Sequence, residues 1–80
     1  MKRADLRRIV ADVLEIDPEL LQSGTDLTQI ETFNSVAVLT LMIELDMQAG
    51  VKMLPEEASK LRLYGDIERV VERHGFELSD

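Results

Sequence analysis

Residues 34–48 of the sequence read NSVAVLTLMIELDMQ, and this stretch decides the fold. A polar connection ends at Asn34, and an apolar run long enough for a helix follows it directly. At about 100° per residue, the apolar side chains fall on two separate stripes. We predict a helix over about 35–49, ended by Gly50. The first stripe holds Val38, Leu41, Met42 and Leu45, and the second holds Val36, Leu39, Ile43 and Met47.

The second stripe has two interpretations, because one helix of a small bundle cannot readily bury apolar side chains on all sides. Either the core wraps more widely around this helix, or the second stripe docks a partner or lines a pocket for an apolar ligand. The pattern alone leaves both interpretations open.

The rest of the chain predicts three more helices and no strand. Apolar residues at helical spacing indicate a first helix over about 2–16, which Pro18 must end because proline cannot donate into the preceding turn. Pro55 suits the first position of a short third helix over about 55–61. Further amphipathic spacing indicates a fourth helix over about 65–74. Nothing alternates with a period of two, so we predict an all-α four-helix bundle.

The connection between the first two helices spans about 17–34, which is long for a segment without secondary structure. We expect a short turn near Pro18 and apolar anchors that hold the connection against the helices. The anchors that we predict are Leu20, Leu21, Leu27 and Ile30.

Composition limits the function. Residues 1–80 are enough for one small domain, and the chain has no cysteine. The 16 acidic and 9 basic residues give a formal net charge of −7, which disfavours nucleic acid and favours basic protein partners, or simply keeps the protein soluble. No apolar stretch approaches the roughly 20 residues of a membrane span. We expect a cytoplasmic monomer without stable membrane insertion.

Ser35 is the candidate residue for chemistry. A catalytic serine needs a base, and the only histidine, His74, falls in the last turn of the final helix, where we expect it to be solvated or to complement the helix dipole. The acidic residues Glu31, Glu44 and Asp46 form no recognisable acid–base pair or calcium loop. We therefore predict neither a catalytic nor a metal site.

The dipeptide Asn34-Ser35 can cap the helix through either residue. A capping box on Ser35 would need Glu or Gln three residues later, where Val38 stands instead. We predict that Asn34 caps the helix and that Ser35 faces outward. A hydroxyl exposed beside free backbone N–H groups suits the attachment of a phosphate ester.

Two segments carry a resemblance to a known family. Phe33-Asn34-Ser35-Val36 is similar to an Asp-Ser-Leu motif that an apolar residue precedes, and Leu54-Pro55-Glu56-Glu57-Ala58-Ser59-Lys60-Leu61 is followed by Tyr64-Gly65-Asp66-Ile67. The order of elements matches as well. The sequence resembles the acyl carrier proteins of the phosphopantetheine-binding family over nearly its whole length.

The resemblance implies a non-catalytic carrier with 4'-phosphopantetheine, derived from coenzyme A, attached to Ser35 and flanked by Asn34. The implied partners are a phosphopantetheinyl transferase and acyl-activating, acyl-transferring or condensing enzymes of fatty-acid-like or specialised lipid and secondary-metabolite biosynthesis. An aminoacyl or peptidyl carrier and an unmodified protein-interaction module are the alternatives. We expect partners to dock on Val36, Leu39, Ile43, Glu44 and Met47.

The sequence departs from the family pattern at several positions. Asn34 stands where the family has aspartate, the second helix has only Glu44 and Asp46 as acids, and Leu63 stands where a capping Ser or Thr often begins the last helix. We expect a divergent member with a specialised set of partners.

Overall fold

The computed structural model describes all residues from Met1 to Asp80, and it confirms the all-α prediction with four helices and no strand. No helix combines the length and the apolar character needed to cross a membrane. The helices are α1 (Arg3–Leu14), α2 (Ser35–Ala49), α3 (Pro55–Ala58) and α4 (Tyr64–Arg73), and two 3₁₀ turns, Pro18–Leu20 and Leu27–Gln29, interrupt the connection between α1 and α2.

Two helices end earlier than their sequence pattern predicts. α1 stops at Leu14 because Glu15 takes the left-handed conformation, with φ of 58°, before Pro18 is reached. α3 stops at Ala58 because the chain then tightens into bonds across three residues, from the N–H of Leu61 to the carbonyl of Ala58 at 3.3 Å. Residues 59–61 therefore form a turn rather than more helix.

The start of α4 lacks the expected Ser or Thr cap and uses Asp66 instead. The Asp66 carboxylate accepts the backbone N–H groups of Leu63 at 2.8 Å and Arg62 at 2.9 Å. These bonds satisfy the two backbone donors immediately before the helix, and the bond to Leu63 is that of a capping box. Leu63 is therefore accommodated without a polar side chain at the cap position.

The core lies where α1, the first stripe of α2 and one face of α4 meet. Leu41 and Leu45 of α2 are fully buried there. In the long connection, Leu21 and Leu27 are also fully buried and Ile30 packs against the core, as predicted. The prediction for Leu20 is wrong: it is 61% exposed, because the 3₁₀ turn that begins at Pro18 directs Leu21 inward. The α1 and α4 side chains in the core are Leu6, Ile9, Val10, Ala11, Leu14, Tyr64, Ile67, Val70 and Val71.

Backbone hydrogen bonds join the long connection to the start of α4. Ser23 also donates its hydroxyl to the buried carboxylate of Glu68 at 2.6 Å. The connection is thus fixed at its middle, and its last residues lead directly into α2. The three backbone bonds run from Gly65 N–H to Ser23 at 2.9 Å, from Tyr64 N–H to Thr25 at 2.9 Å and from Leu27 N–H to Arg62 at 2.7 Å.

Candidate functional site

Ser35 is the first residue of α2 and is exposed. Asn34 is the cap, as predicted: its side-chain Oδ1 accepts the N–H of Ala37 at 2.9 Å. Because Asn34 supplies the cap, the Ser35 hydroxyl is not used for it. The backbone N–H groups of Ser35 and Val36 lie in the first helical turn, where no carbonyl of the same helix can accept them.

A cleft of about 560 Å³ opens beside Ser35, between the first half of α2 and α3. Most of its walls are apolar. Val38 and Met42, which the periodicity places on the first stripe, are half-buried and line it. Its lining residues are Phe33, Asn34, Ser35, Val38, Leu39, Met42, Pro55, Ala58, Ser59 and Leu61.

Local sequence patterns miss the opposite wall of this cleft. The chain folds back after α2, and this brings Pro55, Ala58 and Leu61 to the side of the cleft opposite α2. Helical periodicity does not predict how the chain folds back. The only available signal is the resemblance of the 54–61 segment to its family counterpart, which gives an order of elements and no contacts.

The second stripe of α2 lies on the surface. Val36, Leu39, Ile43 and Met47 are 71%, 60%, 57% and 75% exposed. The interpretation in which the core wraps more widely around α2 is therefore wrong. Leu39 belongs both to this stripe and to the lining of the cleft, so the stripe and the cleft are continuous.

No ionisable side chain lines the cleft beside Ser35. His74 is the C-cap residue of α4, at the negative end of the helix dipole, which is one of the two positions that we expected for it. It is not free in solvent, the other expectation, because its Nε2 lies 2.9 Å from Oε1 of Glu57. The hydrogen bond from His74, together with that from the N–H of Leu54, holds the pKa of Glu57 below its usual range. No group of three or more potential metal ligands is found either. The cleft therefore supplies no base that would make Ser35 a nucleophile.

No protein-family model matches the chain. The chain is similar to an acyl carrier protein. That protein, from Wolinella succinogenes, is 25% identical over 68 residues, which cover 85% of this chain and 90% of its own length. The match supports a distant relationship with acyl carrier proteins, as the motifs around Ser35 and Pro55 indicated.

The charges near the exposed stripe differ from the acidic second helix expected of an acyl carrier protein. The first nine residues of α2, 35–43, carry no charge. Glu44 then accepts a hydrogen bond from the side-chain amide of Gln48 at 2.7 Å. Between Arg8 and Lys52 the chain has eight acidic and no basic residues. This stretch therefore has a formal charge of −8 and the remainder +1, consistent with the net charge of −7.

Proposed function

We propose that this protein is a non-catalytic acyl carrier protein and that Ser35 is the attachment point of a 4'-phosphopantetheine arm. The main support is the position of Ser35: an exposed hydroxyl, free of the helix cap, at the mouth of an apolar cleft. The likeness to an acyl carrier protein over most of the chain supports a carrier role in general.

The residues around Ser35 fit such an arm. The uncapped N–H groups of Ser35 and Val36 lie at the positive end of α2 and favour a phosphate there by about 0.3–1 kcal/mol. This energy positions the group but cannot drive its attachment. Since the cleft has no base, a transferase would take the proton of the Ser35 hydroxyl as its oxygen bonds to the phosphorus next to pantetheine in coenzyme A. The pyrophosphate P–O bond of coenzyme A would break, and adenosine 3',5'-bisphosphate would leave.

The bound arm would supply a terminal thiol, on which an acyl group is held as a thioester. The chain has no cysteine of its own, so it needs a thiol from elsewhere for this task. The apolar cleft walls, including Val38, Met42 and Leu61, would shelter part of an acyl chain. Each buried methylene contributes about 0.8 kcal/mol, which is weak enough for release to an enzyme.

The exposed stripe is the surface that we propose for partner docking. Val36, Leu39, Ile43 and Met47 form an apolar strip, with Glu44 at its edge. Because Leu39 also lines the cleft, an enzyme seated on this strip would lie over the cleft mouth. The partners that fit the proposed role are the transferase and the acyl-activating, acyl-transferring and condensing enzymes.

The proposal is tested by intact mass after incubation with coenzyme A and a broad-specificity phosphopantetheinyl transferase. We expect the wild-type protein to gain one phosphopantetheinyl group and Ser35→Ala to gain none. Ser59→Ala is the matched control, because Ser59 lines the same cleft but donates its hydroxyl to the carbonyl of Glu56 at 2.9 Å. No mass gain with several transferases would overturn the proposal.

Two alternatives predict different results, and the mass assay separates only the second of them from the proposal. An aminoacyl or peptidyl carrier would accept the same arm but would be loaded by an amino-acid-activating enzyme. An unmodified interaction module would gain no mass and would bind partners equally well after Ser35→Ala. The uncharged Asn34 beside Ser35 is the feature that supports the unmodified interaction module, since the family has a charged residue there.

A further inference from the structure

Glu57 connects α3 to the C-terminal end of α4. Its Oε1 accepts the N–H of Leu54 at 2.9 Å and lies 2.9 Å from Nε2 of His74. Its Oε2 lies 3.3 Å from the guanidinium of Arg73. The side chains of Glu57 and His74 are 13% and 24% exposed and are largely shielded from water, whereas the side chain of Arg73 is 60% exposed.

α3 has few other polar links to the protein. Every backbone hydrogen bond made by the N–H groups of residues 54–61 is local to that segment. The hydroxyl of Ser59 also bonds within it, to the carbonyl of Glu56. Apart from the apolar contacts of Ala58 and Leu61, the segment is therefore held by the contacts of Glu57 with α4.

The same segment forms one wall of the cleft at Ser35, through Pro55, Ala58, Ser59 and Leu61. A looser α3 would open this wall, and a tighter α3 would hold it against α2. Glu57 and its partners lie outside the lining of that cleft. They can act on it only by positioning α3.

We propose that Glu57 and His74 form a protonation-sensitive clamp, which holds α3 and with it the wall of the Ser35 cleft more firmly when His74 is charged. Histidine changes its charge between about pH 5 and 8. A neutral imidazole donates one hydrogen bond to the carboxylate, whereas the charged imidazolium makes a charge-assisted bond, which is stronger. Any effect on a sheltered acyl chain rests on the proposed function, but the clamp itself does not.

The other charged side chains around the clamp are carboxylates, a lysine and arginines. They line the cleft between α3 and α4, and carboxylates, lysine and arginine ordinarily titrate outside pH 5–8. Histidine is the only type of side chain around the clamp whose charge ordinarily changes between pH 5 and 8, and His74 is the only histidine of the chain. The other charged residues are Glu56 and Lys60 from the α3 segment and Asp66, Arg69 and Arg73 from α4.

The clamp is tested by amide hydrogen exchange of the unmodified protein, resolved by NMR at about pH 6 and about pH 8. After correction for intrinsic exchange, we expect protection of the amides of Ala58 and Ser59 to be about two- to fivefold higher at the lower pH, the range typical of one partly exposed ion pair. The amides of Leu41 and Leu45 in the core should show no such change and serve as the internal reference.

His74→Gln keeps a hydrogen-bond donor but cannot titrate, and Glu57→Gln keeps an acceptor for Leu54 but has no charge. Both variants should lose the pH dependence while keeping the helical circular dichroism of the wild type. Arg69→Gln is the matched control, because Arg69 pairs with Asp66 on α4 and does not contact Glu57; it should keep the pH dependence.

Equal protection at both pH values in the wild type, or an unchanged pH dependence in His74→Gln, would overturn the clamp. Exchange requires no prosthetic group, so this result is independent of whether Ser35 accepts an arm. Failure of the clamp and failure of the proposed function are therefore observed in separate experiments.

Discussion

Gly65→Ala tests whether the contact between the long connection and α4 holds the fold together. A Cβ atom built at Gly65 would lie 2.8 Å from the carbonyl oxygen of Ser23. That oxygen is part of the backbone and also accepts the Gly65 N–H, so no change of rotamer can relieve the clash. The connection around Ser23 would have to move away from α4.

The size of the effect follows from the bonds that this movement would break. The bonds from Gly65 to Ser23 and from Tyr64 to Thr25 are adjacent, and each is worth about 0.5–1.5 kcal/mol net. Alanine returns up to about 1 kcal/mol through its higher helix propensity. We expect a net loss of about 1–2 kcal/mol in the free energy of unfolding, and a fall in Tm of roughly 5–15 °C for a domain of this size.

Urea and thermal unfolding, followed by circular dichroism, measure this loss. Gly24→Ala is the matched control, because Gly24 lies in the same connection, has no positive φ and has nothing within 4 Å of an added Cβ. It should be neutral or slightly stabilising, since alanine restricts the unfolded chain. If Gly65→Ala were as stable as Gly24→Ala, the carbonyl of Ser23 would not be fixed by this contact and the reasoning would be wrong.

Three further predictions concern the docking strip, the residue before Ser35 and the buried tyrosine. Ile43→Glu should slow modification of Ser35 by about tenfold, because a carboxylate must be desolvated in an apolar contact. Leu20→Glu, at a similarly exposed site, should not slow it, and equal slowing in both variants would argue against a specific docking face. Asn34→Asp should raise the transferase rate, because it restores the charge that the family has beside the serine. Tm should not change, because both residues cap well. Unchanged kinetics would show that the missing charge is unimportant. Burial, with a smaller contribution from Glu68, raises the pKa of Tyr64 to about 12. The folded protein then keeps a proton that the unfolded chain loses near pH 10, so the free energy of unfolding should fall as pH rises from about 10 to 12. The urea midpoint measures this fall, and Tyr64→Phe should abolish it.

The helices could be predicted from the sequence because their signals are local. Pro55 and Gly50 act on their own neighbours, and the periodicity of 35–49 needs no tertiary information. The errors have tertiary or conformational causes. α1 ends at Leu14 because Glu15 takes a left-handed conformation that is not typical of glutamate. The apolar pattern also treats Leu20 and Leu21 alike, so it could not predict that Leu20 is exposed and Leu21 is buried.

The candidate site divides in the same way. The presence of Val38 three residues after Ser35, where a capping box would need Glu or Gln, predicted that Asn34 caps the helix and that Ser35 faces outward. This signal is local. The wall of the cleft formed by Ala58 and Leu61 depends on how α3 returns to α2. The position of His74 against Glu57, which lies 17 residues earlier, depends on the same return and could not be found from helical spacing.

The charge distribution would separate two steps of the partner binding that we propose. The −8 stretch between Arg8 and Lys52 creates a field that attracts a basic partner over about one Debye length, roughly 8–10 Å. On the docking surface that we propose, the partner would then meet residues 35–43 of α2, which have no charge, and the apolar side chains of Val36, Leu39 and Ile43. Salt should therefore change the association rate, while the dissociation rate depends on apolar fit. A partner protein with an apolar contact surface and basic residues around its edge fits both steps. A partner protein with basic residues at the centre of its contact surface would have to desolvate those residues without an acidic residue of this chain to pair with them.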